Sequence, residues 1–185
     1  MRALPIAVAV LAAALTLTAC SDSDGGSDSG DKDTGGKKTS ASTACKADQV
    51  GTDVAASEAP AAGDSGTVSV TLTNSSGADC TLEGFPGVDL RAGSVSRTVP
   101  AEEAAQPEKL TVKPDEAVTF TITYVRGAAG DTEKSAAVKT VKFSLPGAAD
   151  DTADELSFAW KYGEVALRSK TEPDASVTPF QRTGD

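Results

Sequence analysis

Apolar residues recur at every second position through much of this chain, and that spacing constrains its fold more than any other feature. Val68, Val70 and Leu72 alternate with Thr67, Ser69, Thr71 and Thr73, and Val118, Phe120, Ile122 and Tyr124 alternate with three threonines. Val141, Phe143 and Leu145 alternate with Lys142 and Ser144, while Leu156, Phe158, Trp160 and Tyr162 share one parity. Successive side chains of an extended strand point to opposite faces, so a period of two buries one face and wets the other. Helices would need an apolar stripe of period 3.6. Val88 with Leu90, Leu110 with Val112, and Val165 with Leu167 read as shorter strands, and Gln49 to Ala55 as another. The threonine and β-branched content agrees, because such side chains fit a pleated, half-buried surface.

Turn chemistry separates these pieces: Asn74-Ser75-Ser76-Gly77, Phe85-Pro86-Gly87, Lys113-Pro114-Asp115-Glu116 and Pro146-Gly147. The expectation for residues 45–185 is an all-β domain, an antiparallel Ig-like β-sandwich of about seven to nine short strands. Helix is expected only as single turns near Ala101–Ala105 and Asp151–Glu155. In antibody-type domains the core tryptophan lies between the two bridging cysteines. Here Trp160 follows both Cys45 and Cys80, so the architecture is Ig-like at most.

The N-terminal segment has a different character. Met1-Arg2 supplies one positive charge, and Ala3 to Leu17 is a run of 15 residues with only Pro5 and Thr16 outside the apolar set. A bilayer-spanning helix needs about 20. Residues 1–19 therefore read as a secretion signal rather than an anchor. Leu17-Thr18-Ala19-Cys20 closes it, an aliphatic residue and two small ones before a cysteine. This resembles the lipobox of bacterial lipoproteins, in which a transferase acylates the cysteine thiol and a peptidase then cuts before it. Cys20 is thus the expected lipidation site. Residues 20–44 read as the lipidated N-terminus and a Ser/Gly/Asp linker, too poor in apolar groups to offset the entropy of ordering. Its 24 residues from Ser21 would average about 25–30 Å end to end as a flexible coil.

Removing residues 1–19 takes away Arg2 and moves the net charge from −10 to −11. Nucleic-acid binding needs a basic footprint, which is missing, and an acidic chain gains nothing from anionic headgroups. Membrane contact is left to the acyl chains, at about 0.8 kcal/mol per buried CH₂. With Cys20 committed to lipid, Cys45 and Cys80 remain. In an exported domain they read as a disulfide, with two free thiols as the alternative. The closed loop would hold 36 residues, which by chain entropy stabilises the fold by roughly 3–4 kcal/mol.

The chain contains no histidine. Ser-His-Asp and Cys-His catalysis and histidine-based zinc or copper sites are therefore excluded. Gly63-Asp64-Ser65-Gly66 looks like a protease nucleophile loop but lacks its base, and reads as a polar turn into the Thr67 strand. Glu102-Glu103, Asp150-Asp151 and Asp154-Glu155 are paired carboxylates in loop text, where charge usually marks a solvated surface. Oxygen-ligand calcium binding by Asp150, Asp151, Asp154 and Glu155 is kept as an alternative. Trp160 with Phe158 and Tyr162 could line a ligand site, though their shared parity favours core packing. No catalytic residue, cofactor or resident metal is expected.

One stretch is familiar: Leu72-Thr-Asn-Ser-Ser-Gly-Ala-Asp-Cys80-Thr-Leu-Glu-Gly-Phe-Pro-Gly-Val88. It resembles an actinobacterial exported domain family, domain of unknown function 4232, whose text runs Thr-Asn, a small polar turn, Cys-Thr-Leu, one residue, Gly-Tyr-Pro-Gly. Leu110-Thr-Val-Lys-Pro-Asp-Glu-Ala117 resembles its aliphatic–Pro–Gly–small turn before a strand, and Val177-Thr-Pro179-Phe180 its close. The resemblance spans Cys45 to Phe180. It implies an exported, often lipid-anchored β-sandwich with a disulfide matching Cys45–Cys80, and implies no activity. This chain departs from the pattern in two places. Phe85 stands where tyrosine is usual, and the second cysteine pair of many members is missing from the C-terminal half, which must hold by packing alone.

Two functions are consistent with this reading. The first is a non-enzymatic binding or scaffolding lipoprotein on the outer face of the plasma membrane, its partner an envelope protein or wall polymer. The second is a small-ligand or calcium-binding lipoprotein, using the acidic loops or the Trp160 face.

Overall fold

The computed structural model describes residues 43–147 and 155–183. The signal segment 1–19, Cys20, the linker up to Ser42, and Asp150, Asp151 and Asp154 lie outside the described residues.

Strands form where the alternation lies. In chain order they are β1 (Thr43–Ala44), β2 (Val50–Ser57), β3 (Ser65–Asn74), β4 (Cys80–Glu83), β5 (Gly87–Ala92), β6 (Val95–Thr98) and β7 (Lys109–Val112). They continue with β8 (Ala117–Val125), β9 (Ser135–Ala136), β10 (Thr140–Ser144), β11 (Glu155–Ala159), β12 (Val165–Ala166), β13 (Ala175–Val177) and β14 (Gln181–Arg182). Among the described residues, nine strands have four residues or more, the upper end of the seven to nine expected, and five have two or three.

One layer is a five-stranded sheet in the order β13-β8-β3-β2, with β14 also paired to β8. The other layer holds a four-stranded sheet, β11-β10-β5-β6, and a three-stranded one, β1-β4-β7. A short β12-β9 pair completes the fold. The pairings are antiparallel except for β1 with β4.

The longest ladder joins β3 to β8, from Ser65↔Val125 to Thr73↔Ala117. Its inner face carries Val68, Val70, Leu72, Val118, Phe120, Ile122 and Tyr124, each at most 1% exposed. Its outer face carries the threonines in register, Thr67↔Thr123 and Thr71↔Thr119, with Ser69 and Thr121 hydroxyls 3.2 Å apart. The facing layer contributes Leu82, Val88, Leu90, Val112, Val141 and Phe143 to the same core. Phe120 links the layers, meeting Phe143 edge-on at 5.3 Å and Phe180 at 5.6 Å. Each large apolar side chain fully buried in this way contributes about 1.5–3 kcal/mol.

Four expectations need correction or refinement. Thr43 and Ala44 are not linker but a strand, paired to Cys80 and Thr81 beside the Cys45 bridge. Ala101–Ala105 holds a single hydrogen-bonded turn, Ala105 N–H to Glu102 O at 3.2 Å, but no helix. The Glu102 N–H is taken by Val177 O at 2.9 Å and Ala101 bridges Val177, so this backbone is committed to a strand neighbour. Of the segment expected to turn at Asp151–Glu155, residues 151–154 lie outside the described residues, and Glu155 opens β11. The strand written through Tyr162 ends at Ala159, although Trp160 N–H still reaches Lys139 O at 2.9 Å. Among the described residues no helix is long and apolar enough to cross a membrane.

Candidate functional site

The segments that the sequence singles out meet at the two ends of the β3–β8 ladder. At the first end β3 stops at Asn74, which is 1% exposed. A buried amide must place two donors and one acceptor. Asn74 Oδ1 accepts the Ser76 N–H at 2.9 Å and the Ser76 hydroxyl at 2.7 Å. Nδ2 donates to Ala78 O at 2.9 Å and Val112 O at 3.0 Å. The Asn74 N–H donates to Glu116 O, and its carbonyl accepts the Asp115 N–H. One residue thus fastens the turn after β3, the end of β7 and the turn before β8.

Six residues on, Cys80 opens β4 and is bonded to Cys45, with Cα atoms 4.8 Å apart. Both are buried, and the Cys45 N–H donates to Thr81 O at 3.0 Å. Leu82 enters the core, and Gly84 has φ +109°, a region closed to most side chains. Beyond Asn74, Asp115 has φ +62°. Glu116 accepts the Lys113 N–H at 2.9 Å and pairs with Arg182. The Lys113 amide, aided by the charge of Arg182, holds the Glu116 carboxyl below its ordinary value although desolvation opposes them.

The second end is aromatic. Tyr124 and Trp160 meet edge-on at 4.9 Å, as do Trp160 and Tyr162. The Trp160 indole N–H donates to Gly163 O at 2.7 Å. The Tyr124 hydroxyl donates to Tyr162 O at 3.1 Å and accepts the Ala59 N–H at 3.3 Å. Arg126 donates to Ala59 O at 2.7 Å. Gly66 lies opposite Tyr124, and a Cβ there would sit 2.7 Å from the ring, so only glycine fits beneath it. Desolvation, with the nearby charge of Glu58, raises the Tyr162 phenol pKa above its ordinary value.

A family profile, Domain of unknown function (DUF4232), matches residues 45–181. The chain belongs to the DUF4232 family. No curated protein matches it. The DUF4232 text from Leu72 to Val88 is the corner just described. Asn74 fastens it, Cys80 bridges it, Leu82 packs it and Gly84 turns it. The residues that carry the resemblance therefore carry structure.

The other residues singled out in this DUF4232 chain fall as follows. Trp160 is 5% exposed and its polar handle is occupied, while Phe158 and Tyr162 pack half-buried against the core. Glu155 is paired with Lys142 at 2.5 Å. Glu102 and Glu103 are exposed. Gly63-Asp64-Ser65-Gly66 is a turn: Asp64 Oδ2 accepts the Ala61 N–H at 3.0 Å, and β3 starts at Ser65. Among the described residues, no three His, Cys, Asp or Glu side chains are grouped to hold a metal.

Two open clefts lie among the described residues. One, of about 360 Å³, lies between Glu108 and Leu110 on one side and Phe180 and Arg182 on the other. The second, of about 240 Å³, lies beside Trp160, Lys139, Lys161 and Glu164. The fastening role of Asn74 and the two bonds of the Tyr124 hydroxyl are missing from the sequence reading, in which Asn74 is turn text and Tyr124 a core position. A Thr-Asn pair at a strand end, ahead of a cysteine, is the signal that points to the first.

Proposed function

We propose that this DUF4232 chain is an exported cell-envelope lipoprotein of actinobacterial type. In this reading residues 1–19 are removed, Cys20 is acylated, and the following residues tether the domain to the outer face of the plasma membrane. The domain acts there as a non-enzymatic binding or scaffolding module for an envelope protein or wall polymer. The observation that carries the reading is the Cys45–Cys80 disulfide. Structural disulfides belong to oxidising compartments outside the cytosol. With those two cysteines paired, Cys20 is the one left, and it stands at the end of a short apolar run in lipobox context. The absence of histidine from the chain supports a non-enzymatic role.

Intact-mass measurement of membrane-extracted protein, with and without reductant, tests this. The expected mass is that of a chain beginning at an acylated Cys20, shifting by two hydrogens on reduction. A chain still beginning at Met1, or an unmodified Cys20, sinks it. For the module itself, crosslinked pull-down from intact envelopes should recover a partner that a Cys20→Ala protein, released from the membrane, recovers less well. The calcium or small-ligand alternative is not preferred, because Glu155 is engaged by Lys142 and the Trp160 indole by Gly163. A thermal shift at millimolar calcium would revive it.

A further inference from the structure

We infer that the Cys45–Cys80 disulfide carries the pull of the tether straight into the interior of the fold and spares the edge strand β2. This rests on the lipoprotein reading above, since only an anchored chain is pulled from Cys20.

The junction supplies the argument. The chain enters the domain through β1, whose ladder to β4 is two residue pairs, Thr43↔Cys80 and Ala44↔Thr81. Two pairs resist little. The next residue, Cys45, is covalently bonded to the first residue of β4 and donates its N–H to Thr81 O. β4 is flanked on both sides, by β1 and β7, and its Leu82 is 2% exposed in the core. Force arriving at Ala44 therefore has a covalent route to a strand paired along all four of its residues with β7.

The alternative route is weak. From Cys45 the chain passes through Lys46 and the single 3-10 turn Ala47–Gln49 into Val50, the first residue of β2. β2 is an edge strand with β3 as its one neighbour, and six of its eight residues are exposed. It adds only the half-buried Val50 and Val54 to the core. Edge segments with few buried contacts open first. Without the disulfide, tension would enter at the Val50↔Asn74 pair and strip β2 from β3 one pair at a time. Peeling would stop at Ala59, which is buried and bonded to Tyr124 and Arg126, and freeing residues 45–58 would release about 50 Å of contour at roughly 3.5 Å per residue, less the distance the folded segment already spans. The oxidised domain keeps a fixed reach, and the reduced one has an extensible leader.

Force spectroscopy on the mature chain tests this, with Cys20→Ser, a peptide handle ahead of residue 20 and a second handle at the C-terminus. Oxidised protein is compared with protein treated with a dithiol. The dithiol gives two electrons and two protons to the disulfide, leaving two protein thiols and its own cyclic disulfide. The reduced protein should show an early low-force lengthening of at most about 50 Å before the main rupture, and the oxidised protein none. An early step in both forms, or in neither, overturns the inference. Hydrogen exchange without force is the second measurement. Reduction should speed exchange at least tenfold over residues 43–57 while β8 stays protected. Equal loss across the sheet, or reduction that unfolds the whole domain, would make the bond a general staple and also overturn it. Neither measurement depends on acylation, so failure here is distinct from failure of the lipid-anchor mass test.

Discussion

Where β3 ends at Asn74, a disulfide, a buried amide and a tight turn hold three strands together. Where β3 begins, opposite Tyr124, the same job falls to three aromatic rings and the hydrogen bonds of Tyr124, Trp160 and Arg126. The two ends stabilise the fold through different states. The covalent end acts mainly on the unfolded chain, by removing conformations from it. The aromatic end acts on the native state, through contacts that exist only when the rings are packed. In a domain whose C-terminal half has no cysteine, the second device has no covalent backup.

The contrast predicts that the aromatic end is the more fragile. Trp160→Ala removes two edge-on ring contacts and leaves Gly163 O without its donor. A loss of about 3–5 kcal/mol is expected, as for other buried aromatic truncations, read by urea denaturation followed by circular dichroism. A loss under about 1 kcal/mol would mean that the rings only cover the end and do not close it. The double variant Cys45→Ala with Cys80→Ala should come next, at roughly 3–4 kcal/mol for the 36-residue loop. Its signature differs: the denaturant slope should rise, because the uncrosslinked unfolded chain exposes more surface. Trp160→Ala should leave the slope unchanged. If both variants change only the midpoint, the two-state contrast drawn above is wrong.

Much of this was written openly in the chain. Val68-Val70-Leu72 and Val118-Phe120-Ile122-Tyr124 announce the central ladder because both strands are buried on one face only, so alternation survives. Cysteine counting yields the bridge once Cys20 is set aside. What was not legible depends on neighbours distant in sequence. β6 has no apolar alternation, since Val95, Ser96 and Thr98 are exposed on an edge, and only its pairing to β5 makes it a strand. β13 and β14 are fragments ordered by docking on β8. Ala101–Ala105 makes its single turn, Ala105 N–H to Glu102 O, but goes no further toward helix because Val177 takes the bonds at its start. The aromatic end was half legible: parity put Trp160 inside, but nothing local says that Tyr124, 36 residues earlier, would cap it.

Asn74 tests how much of the first end is the amide rather than the disulfide. Asn74→Ala takes away the partner of the Ser76 N–H and the amide donor at Val112 O, while Ala78 O keeps the Ser76 hydroxyl. A cost of about 1–3 kcal/mol is expected, that of stranding buried polar groups. It should fall mainly on this end: hydrogen exchange should quicken at the end of β7 and the start of β8 and be unaltered at Tyr124 and Trp160. Asp115 runs the other way. It occupies a φ of +62° in the position where the family text has glycine. Asp115→Gly relieves the left-handed strain but adds freedom to the unfolded chain, so a net gain of about 0.5 kcal/mol is expected. A loss above about 1 kcal/mol would show that the Asp115 side chain holds the turn by a contact stronger than the strain.

The smallest effect belongs to Glu116, and it separates the two ends by pH. Its carboxyl is held below the ordinary 4.5, first by the Lys113 amide and then by Arg182. A carboxylate with a depressed folded-state pKa lends stability above its unfolded value, and that contribution is lost as pH falls through the lowered one. Melting temperature recorded from pH 7 down to pH 3 should therefore fall more steeply for the native protein than for Glu116→Gln, the two curves converging in acid. Trp160→Ala, whose defect lies at the other end, should melt lower throughout but keep the native acid slope. If Trp160→Ala flattened that slope as Glu116→Gln does, the two ends would be one cooperative unit, and the division between covalent and aromatic closure would have to be given up.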